Sequence, residues 1–121
     1  MSKRTNPPPP LWMGSSRKDI RKLPKAVRAL FGQAIFDAQT GEQHPQAKPL
    51  KGFGGNGVLE VCEDDSGNTY RAVYTVKLAG IVYVLHCFQK KSKTGVATPK
   101  QTIDLIHARL RIAESIHENR T

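Results

Sequence analysis

The amino-acid sequence predicts an α+β fold: an N-terminal helical hairpin packed on a small antiparallel sheet, with a C-terminal helix. Three observations predict it. Apolar residues from Val27 to Ala38 recur at helical spacing behind Pro24, three runs rich in β-branched and aromatic residues follow across short turns, and an amphipathic stretch starts behind Pro99. With 121 residues the chain has the size of one domain, read as residues 11–121, and residues 1–10 read as a flexible tail.

The tail carries Lys3, Arg4 and the prolines Pro7 to Pro10, so it is extended and forms no helix. Leu11, Trp12 and Met13 read as a brief first strand. Ser15 or Ser16 can cap a helix through Arg17 to Lys22, which ends at Leu23 because Pro24 disfavours helical backbone before it. A second helix starts with Pro24 at its first position. Val27, Leu30, Phe31, Ala34, Ile35 and Ala38 form its apolar face, and Gly41 stops it. The exposed faces of this hairpin hold Arg17, Lys18, Arg21, Lys22, Lys25 and Arg28.

From Glu42 to Gly57, two prolines and the closely spaced glycines predict a mobile loop, with Lys48 and Lys51 flanking Leu50. Strands follow over Val58–Glu63, Tyr70–Leu78 and Ile81–Gln89. Turns at Asp64–Asn68 and Ala79-Gly80 make them an antiparallel meander. In the middle strand Tyr70, Ala72, Tyr74, Val76 and Leu78 face the core. Arg71, Val73, Thr75 and Lys77 therefore form a mixed apolar and cationic face, free to receive a polyanion. Gln89 to Gly95, with Lys90, Lys91 and Lys93, forms a basic loop. Thr98 caps and Pro99 starts the last helix, lined by Ile103, Ile106, Leu110 and Ala113.

A net charge of +9 points to a polyanionic partner, either nucleic acid or an acidic protein. No apolar run nears the ~20 residues of a membrane-spanning helix, and the start MSKRTNPPPP lacks a secretory signal's apolar stretch, so a cytoplasmic location is expected. Cys62 and Cys87 read as core or near-core thiols. His44, His86, His107 and His117 lack metal-helix spacing, and Asp64 and Asp65 read as turn residues. No nucleophile elbow or phosphate loop is present, and Gly52 to Gly57 reads as flexible backbone. No cofactor is expected. The chemistry left is phosphodiester cleavage run by cations: a base for the RNA 2′-hydroxyl, charge stabilisation on the phosphorane oxygens and an acid for the departing 5′-oxygen. Arg71 has the planar fork that suits a phosphate, and the clustered lysines 90, 91 and 93 depress one another's basicity.

Gly67-Asn68-Thr69-Tyr70-Arg71-Ala72-Val73-Tyr74 resembles the central strand of the RelE/ParE toxin superfamily, with its Tyr-Arg-x-x-Tyr pattern after a turn. Val58-Leu59-Glu60-Val61 and Val84-Leu85-His86-Cys87-Phe88-Gln89-Lys90-Lys91 are similar to its HigB-like, phage-derived branch. The resemblance spans Leu11 to about Ala113. It implies a RelE-like fold and a type II toxin that inhibits translation as a metal-independent endoribonuclease, an mRNA interferase working on the ribosome. Its implied partners are mRNA and a helix-turn-helix antitoxin, in a hetero-oligomer. Carried over by position, Arg71 stabilises phosphate, Lys51 is a loop cation, and Lys90 and Lys91 form the Phe-x-Lys-Lys pair. His86 is a candidate for proton transfer, and Lys48, Lys77, Lys93 and Glu60 are candidates for RNA binding. Cys62 stands where many relatives carry Arg, and the stretch after Lys91 is longer than usual.

Two other readings compete. A ParE-like toxin shares the fold but poisons gyrase without catalytic residues. A non-enzymatic RNA-binding module is opposed by the 7% aromatic content and the lack of aromatic pairs on one strand face.

Overall fold

Short local signals set most element ends in the computed structural model, which describes residues 7–55, 57–76, 78, 80–90 and 99–120. Strand β1 is Leu11–Trp12, followed by helices α1, Ser16–Arg21, and α2, Lys25–Gln39. Pro24, with extended backbone, sits at the cap of α2 rather than at its first helical position, and Gly41 at φ +87° lets the chain leave the helix. Ser15 caps α1 by position only, because its hydroxyl donates to Asp19 Oδ2 at 2.7 Å instead of receiving a backbone N–H.

Four strands and a helix complete the fold: β2 Ala47–Pro49, β3 Val58–Asp65, β4 Asn68–Thr75, β5 Tyr83–Lys90 and α3 Lys100–Arg120. The β3–β4 turn is Ser66-Gly67, both at positive φ, the two-residue geometry that matches the twist of paired strands. The five strands lie in the order β1-β5-β4-β3-β2.

The sheet is mixed and not wholly antiparallel. Leu11 and Trp12 run parallel to Tyr83 and Val84, joining the sheet beside its last strand. Strand β2 lies inside the stretch expected to be a loop: Ala47, Lys48 and Pro49 pair with Val61, Glu60 and Leu59. Three residues at a sheet edge tolerate the proline, because its missing N–H faces away from the partner strand.

The two sheet faces build two cores. On one, Ile20 of α1 and Val27, Phe31, Ala34 and Ile35 of α2 pack against Leu59, Val61, Tyr70, Ala72, Tyr74 and Val84. Each large side chain so buried contributes about 1.5–3 kcal/mol. The buried Ser16 hydroxyl donates to the Val84 carbonyl at 3.1 Å and anchors α1 to β5. On the other face Ile106, Leu110 and Ala113 of α3 pack with Val58, Val73, Tyr83 and Leu85. The Arg71 face is therefore not free of helices as the alternation suggested. Val73 and Thr75 are buried, because β-branched residues suit a strand covered on both sides.

Between β4 and β5 the register slips: Val73 pairs with His86 and Tyr74 with Val84, leaving Leu85 as an extra residue. This bulge brings Leu85 into the second core and sets His86 next to the α3 contact.

Candidate functional site

Alternation along the strands decides which polar side chains meet. Leu59 and Val61, like Tyr70 and Ala72, point into the first core, so Glu60, Cys62 and Arg71 leave the sheet on the α3 side. Register does the rest. Cys62 pairs with Arg71, Arg71 with Phe88, and Lys48 with Glu60. Lys90 lies two residues beyond Phe88 on the same face of β5.

At the centre Arg71 Nη1 donates to Glu60 Oε2 at 2.9 Å, with the side chains only 15% and 8% exposed. Arg71 is thus ion-paired and nearly buried, unlike the free surface cation its strand position suggested, and Glu60 is its partner. The pair is not remote from the lysines. Cys62 Sγ lies 3.9 Å from the same Glu60 oxygen, and the Cys62 thiol lies within electrostatic range of Lys48 and Lys90 as well as of Arg71. Burial, then the Glu60 charge, push that thiol up; Arg71, Lys48 and Lys90 pull it down less strongly. Cys62 is half-buried, whereas Cys87 sits in the first core, its thiol pushed up to about 12 by burial and then by Asp19.

Beside this cluster the His86 and Phe88 rings stack at 4.5 Å between centroids, 18° apart in plane. Burial first, then the Arg109 charge, hold His86 at about 4, below its ordinary 6.5, with Asp19 opposing. His86 is therefore neutral at physiological pH. A carboxylate, a guanidinium and two flanking ammonium groups on one sheet face can bind a phosphodiester and accept a proton from a nearby hydroxyl.

Residues 18–111 match the phage-derived Gp49-like protein family (DUF891), a span that runs from within α1 through α2, β2 to β5 and the whole Arg71–Glu60 cluster into α3. The chain belongs to this family. The Gp49-like family is a RelE-toxin-like family, consistent with the toxin of a pair that an antitoxin neutralises. No curated protein and no solved structure matches the chain.

In this Gp49-like protein the remaining sequence candidates are placed unevenly. Lys48, exposed on β2, and Lys90, half-buried at the end of β5, join the cluster. Lys51 is exposed in the turn after β2, three residues past Lys48 and beyond the buried Leu50, away from Arg71 along the sheet. Lys77, Lys91 and Lys93 lie outside the described residues. No helix among the described residues is long and apolar enough to cross a membrane. Likewise no three His, Cys, Asp or Glu side chains gather where a metal ion would sit, again among the described residues.

One residue escaped sequence reasoning. Arg109 of α3 donates from Nη1 to the Leu85 carbonyl at 2.9 Å and reaches His86 Nδ1 at 3.3 Å, with Nη2 3.4 Å from Ser15 Oγ. A signal was available: Arg109 is three residues from Ile106 and four from Ala113, inside the stripe of α3 that faces the sheet.

Proposed function

We propose that this chain is a HigB-like, RelE-type toxin that cleaves mRNA on the ribosome without a metal ion. A helix-turn-helix antitoxin made beside it binds and neutralises it in a hetero-oligomer, in the cytoplasm. The observation that carries this reading is the Arg71–Glu60 pair, set on one sheet face with Lys48 and Lys90.

The chemistry follows from those groups. An RNA phosphate approaching Arg71 competes with Glu60 for the guanidinium fork, which suits phosphate oxygens as well as carboxylate. Glu60 is then left beside the 2′-hydroxyl and takes its proton as that oxygen attacks phosphorus, while Arg71 carries the charge that builds on the phosphorane; the bond from phosphorus to the 5′-oxygen breaks, and the departing oxygen takes a proton from water. Lys48 and Lys90 hold the flanking phosphates, and Lys51, in the turn after β2, adds a cation farther along the sheet. The charge of +9 draws the RNA in.

The test is to mix the purified protein with translating ribosomes and map mRNA 5′-ends. New ends that appear with the wild type and vanish with Glu60→Gln support the reading. Intact mRNA together with gyrase-linked DNA breaks would instead identify a ParE-like gyrase poison, the rival that shares this architecture.

A further inference from the structure

The geometry points to Arg109 as the positioning residue of the site: it fixes His86 as the neutral tautomer with its proton on Nε2, in a ring stacked on Phe88, the register partner of Arg71. The inference deepens the reading above and rests on it for the identity of the substrate, though its first test does not.

Donors and acceptors decide the tautomer. A guanidinium only donates and keeps its charge, so the ring nitrogen it meets must be a bare acceptor. Arg109 Nη1 meets His86 at Nδ1, 3.3 Å away, which leaves Nε2 to carry the ring proton. The same Nη1 donates to the Leu85 carbonyl at 2.9 Å, the extra residue of the β5 bulge, so the bulge and the tautomer are held by one group.

The guanidinium is itself held. Nη2 lies 3.4 Å from Ser15 Oγ, and beneath it is Gly14, at φ +54°, where a Cβ would come within 2.6 Å of the guanidinium carbon. Glycine at position 14 thus provides both the turn and the space. On its other side the His86 ring is fixed by the stack on Phe88, whose register partner is Arg71. The charged groups facing His86 are Arg109 from α3 and Asp19 from α1; burial and Arg109 disfavour the imidazolium, and Asp19 opposes them. An imidazole so held is a poor proton donor at neutral pH but a fixed N–H donor, suited to a phosphate oxygen or the departing 5′-oxygen. A single donor placed for a developing oxyanion contributes about 100- to 1,000-fold in rate.

The test is nitrogen NMR of the histidine rings in the full-length protein, with His86 assigned through His86→Gln. In the wild type the His86 proton is on Nε2 and the ring shows no titration between pH 5 and 8. Arg109→Met, which keeps length but no donor, gives mixed tautomers and an upward-shifted titration, and Arg109→Lys restores the low titration by restoring the charge. If Arg109→Met fails to fold, Gly14→Ala, which pushes the guanidinium off its seat, gives the same change. A proton on Nδ1 in the wild type, or unchanged spectra in folded Arg109→Met or Gly14→Ala, overturns the inference. RNA cleavage by Arg109→Met falls at least tenfold at saturating ribosomes; full cleavage with a disturbed tautomer also overturns it. If the wild type cuts no RNA, the functional reading fails, and the ring spectra alone decide the role of Arg109.

Discussion

Arg71 and Glu60 stand on adjacent strands with a guanidinium nitrogen 2.9 Å from a carboxylate oxygen, and both side chains are almost closed off from water. Such a pair is held by mutual compensation, since each charge makes the burial of the other tolerable. Stability and the proposed chemistry therefore meet at the same two residues.

Removing Arg71 leaves the Glu60 carboxylate buried without its guanidinium. Arg71→Ala is expected to lose about 3 kcal/mol or more of stability, in the range for breaking a buried pair. The double change Arg71→Met with Glu60→Leu recovers most of that loss. Urea unfolding of the two single variants and the double checks this. An Arg71→Ala protein as stable as the wild type would show that water reaches the pair and that it carries little structural weight. Loss of growth arrest in Arg71→Ala therefore means little without a parallel unfolding curve.

His86 gives the stability a pH dependence of known sign. Its folded value, about 4, lies below the ordinary 6.5 of the unfolded chain, because burial and then Arg109 disfavour the charged ring. Between those two values the unfolded state binds a proton that the folded state refuses, so stability falls as pH drops through this window. Above it the contribution is complete. Unfolding midpoints at pH 7, 5.5 and 4.5 should decline in the wild type and decline less in His86→Gln. Parallel curves would remove His86 as the cause.

The helices and the three long strands were legible because their signals are local: apolar spacing after Pro24, the Ser66-Gly67 turn, and Pro99 before α3. Strand β2 was not, since Ala47-Lys48-Pro49 becomes a strand only by pairing with Val61 to Leu59, a contact that no local pattern encodes. The direction of β1 was hidden for the same reason. Arg71 was legible from its motif, but its partner was not, because Glu60 lies across from Val73 in register and reaches Arg71 diagonally. Arg109 was passed over because it sits one residue from Leu110, and the stripe was read for its apolar members alone.

RNA affinity tests which lysines belong to the site. Lys48→Gln and Lys90→Gln should each weaken binding to RNA of any sequence and lower the salt dependence by about one unit of slope, one phosphate contact apiece. Lys51→Gln, farther along the sheet, should change the slope less. Binding isotherms at several salt concentrations separate them. An unchanged slope in both Lys48→Gln and Lys90→Gln would place the RNA elsewhere on the protein.

Tyr74 offers a test of the first core. Its hydroxyl is buried with no hydrogen-bond partner among the described residues, and burial, then Asp37, push it up to about 12. An unsatisfied buried hydroxyl costs about 1–3 kcal/mol, so Tyr74→Phe should leave stability unchanged or raise it by up to that amount. Urea unfolding reads this directly. A clear loss would reveal a partner for the hydroxyl, such as an ordered water.

The claim at the centre is that Glu60, released from Arg71 by an incoming phosphate, takes the proton that starts RNA cleavage. The most direct measurement is the single-turnover cleavage rate of a defined mRNA on pre-assembled ribosomes, wild type against Glu60→Gln. That variant keeps an acceptor for Arg71 and loses only the base. The rate should fall at least about 100-fold, the scale of general base catalysis, with ribosome binding unchanged. Cleavage at the wild-type rate would contradict the account.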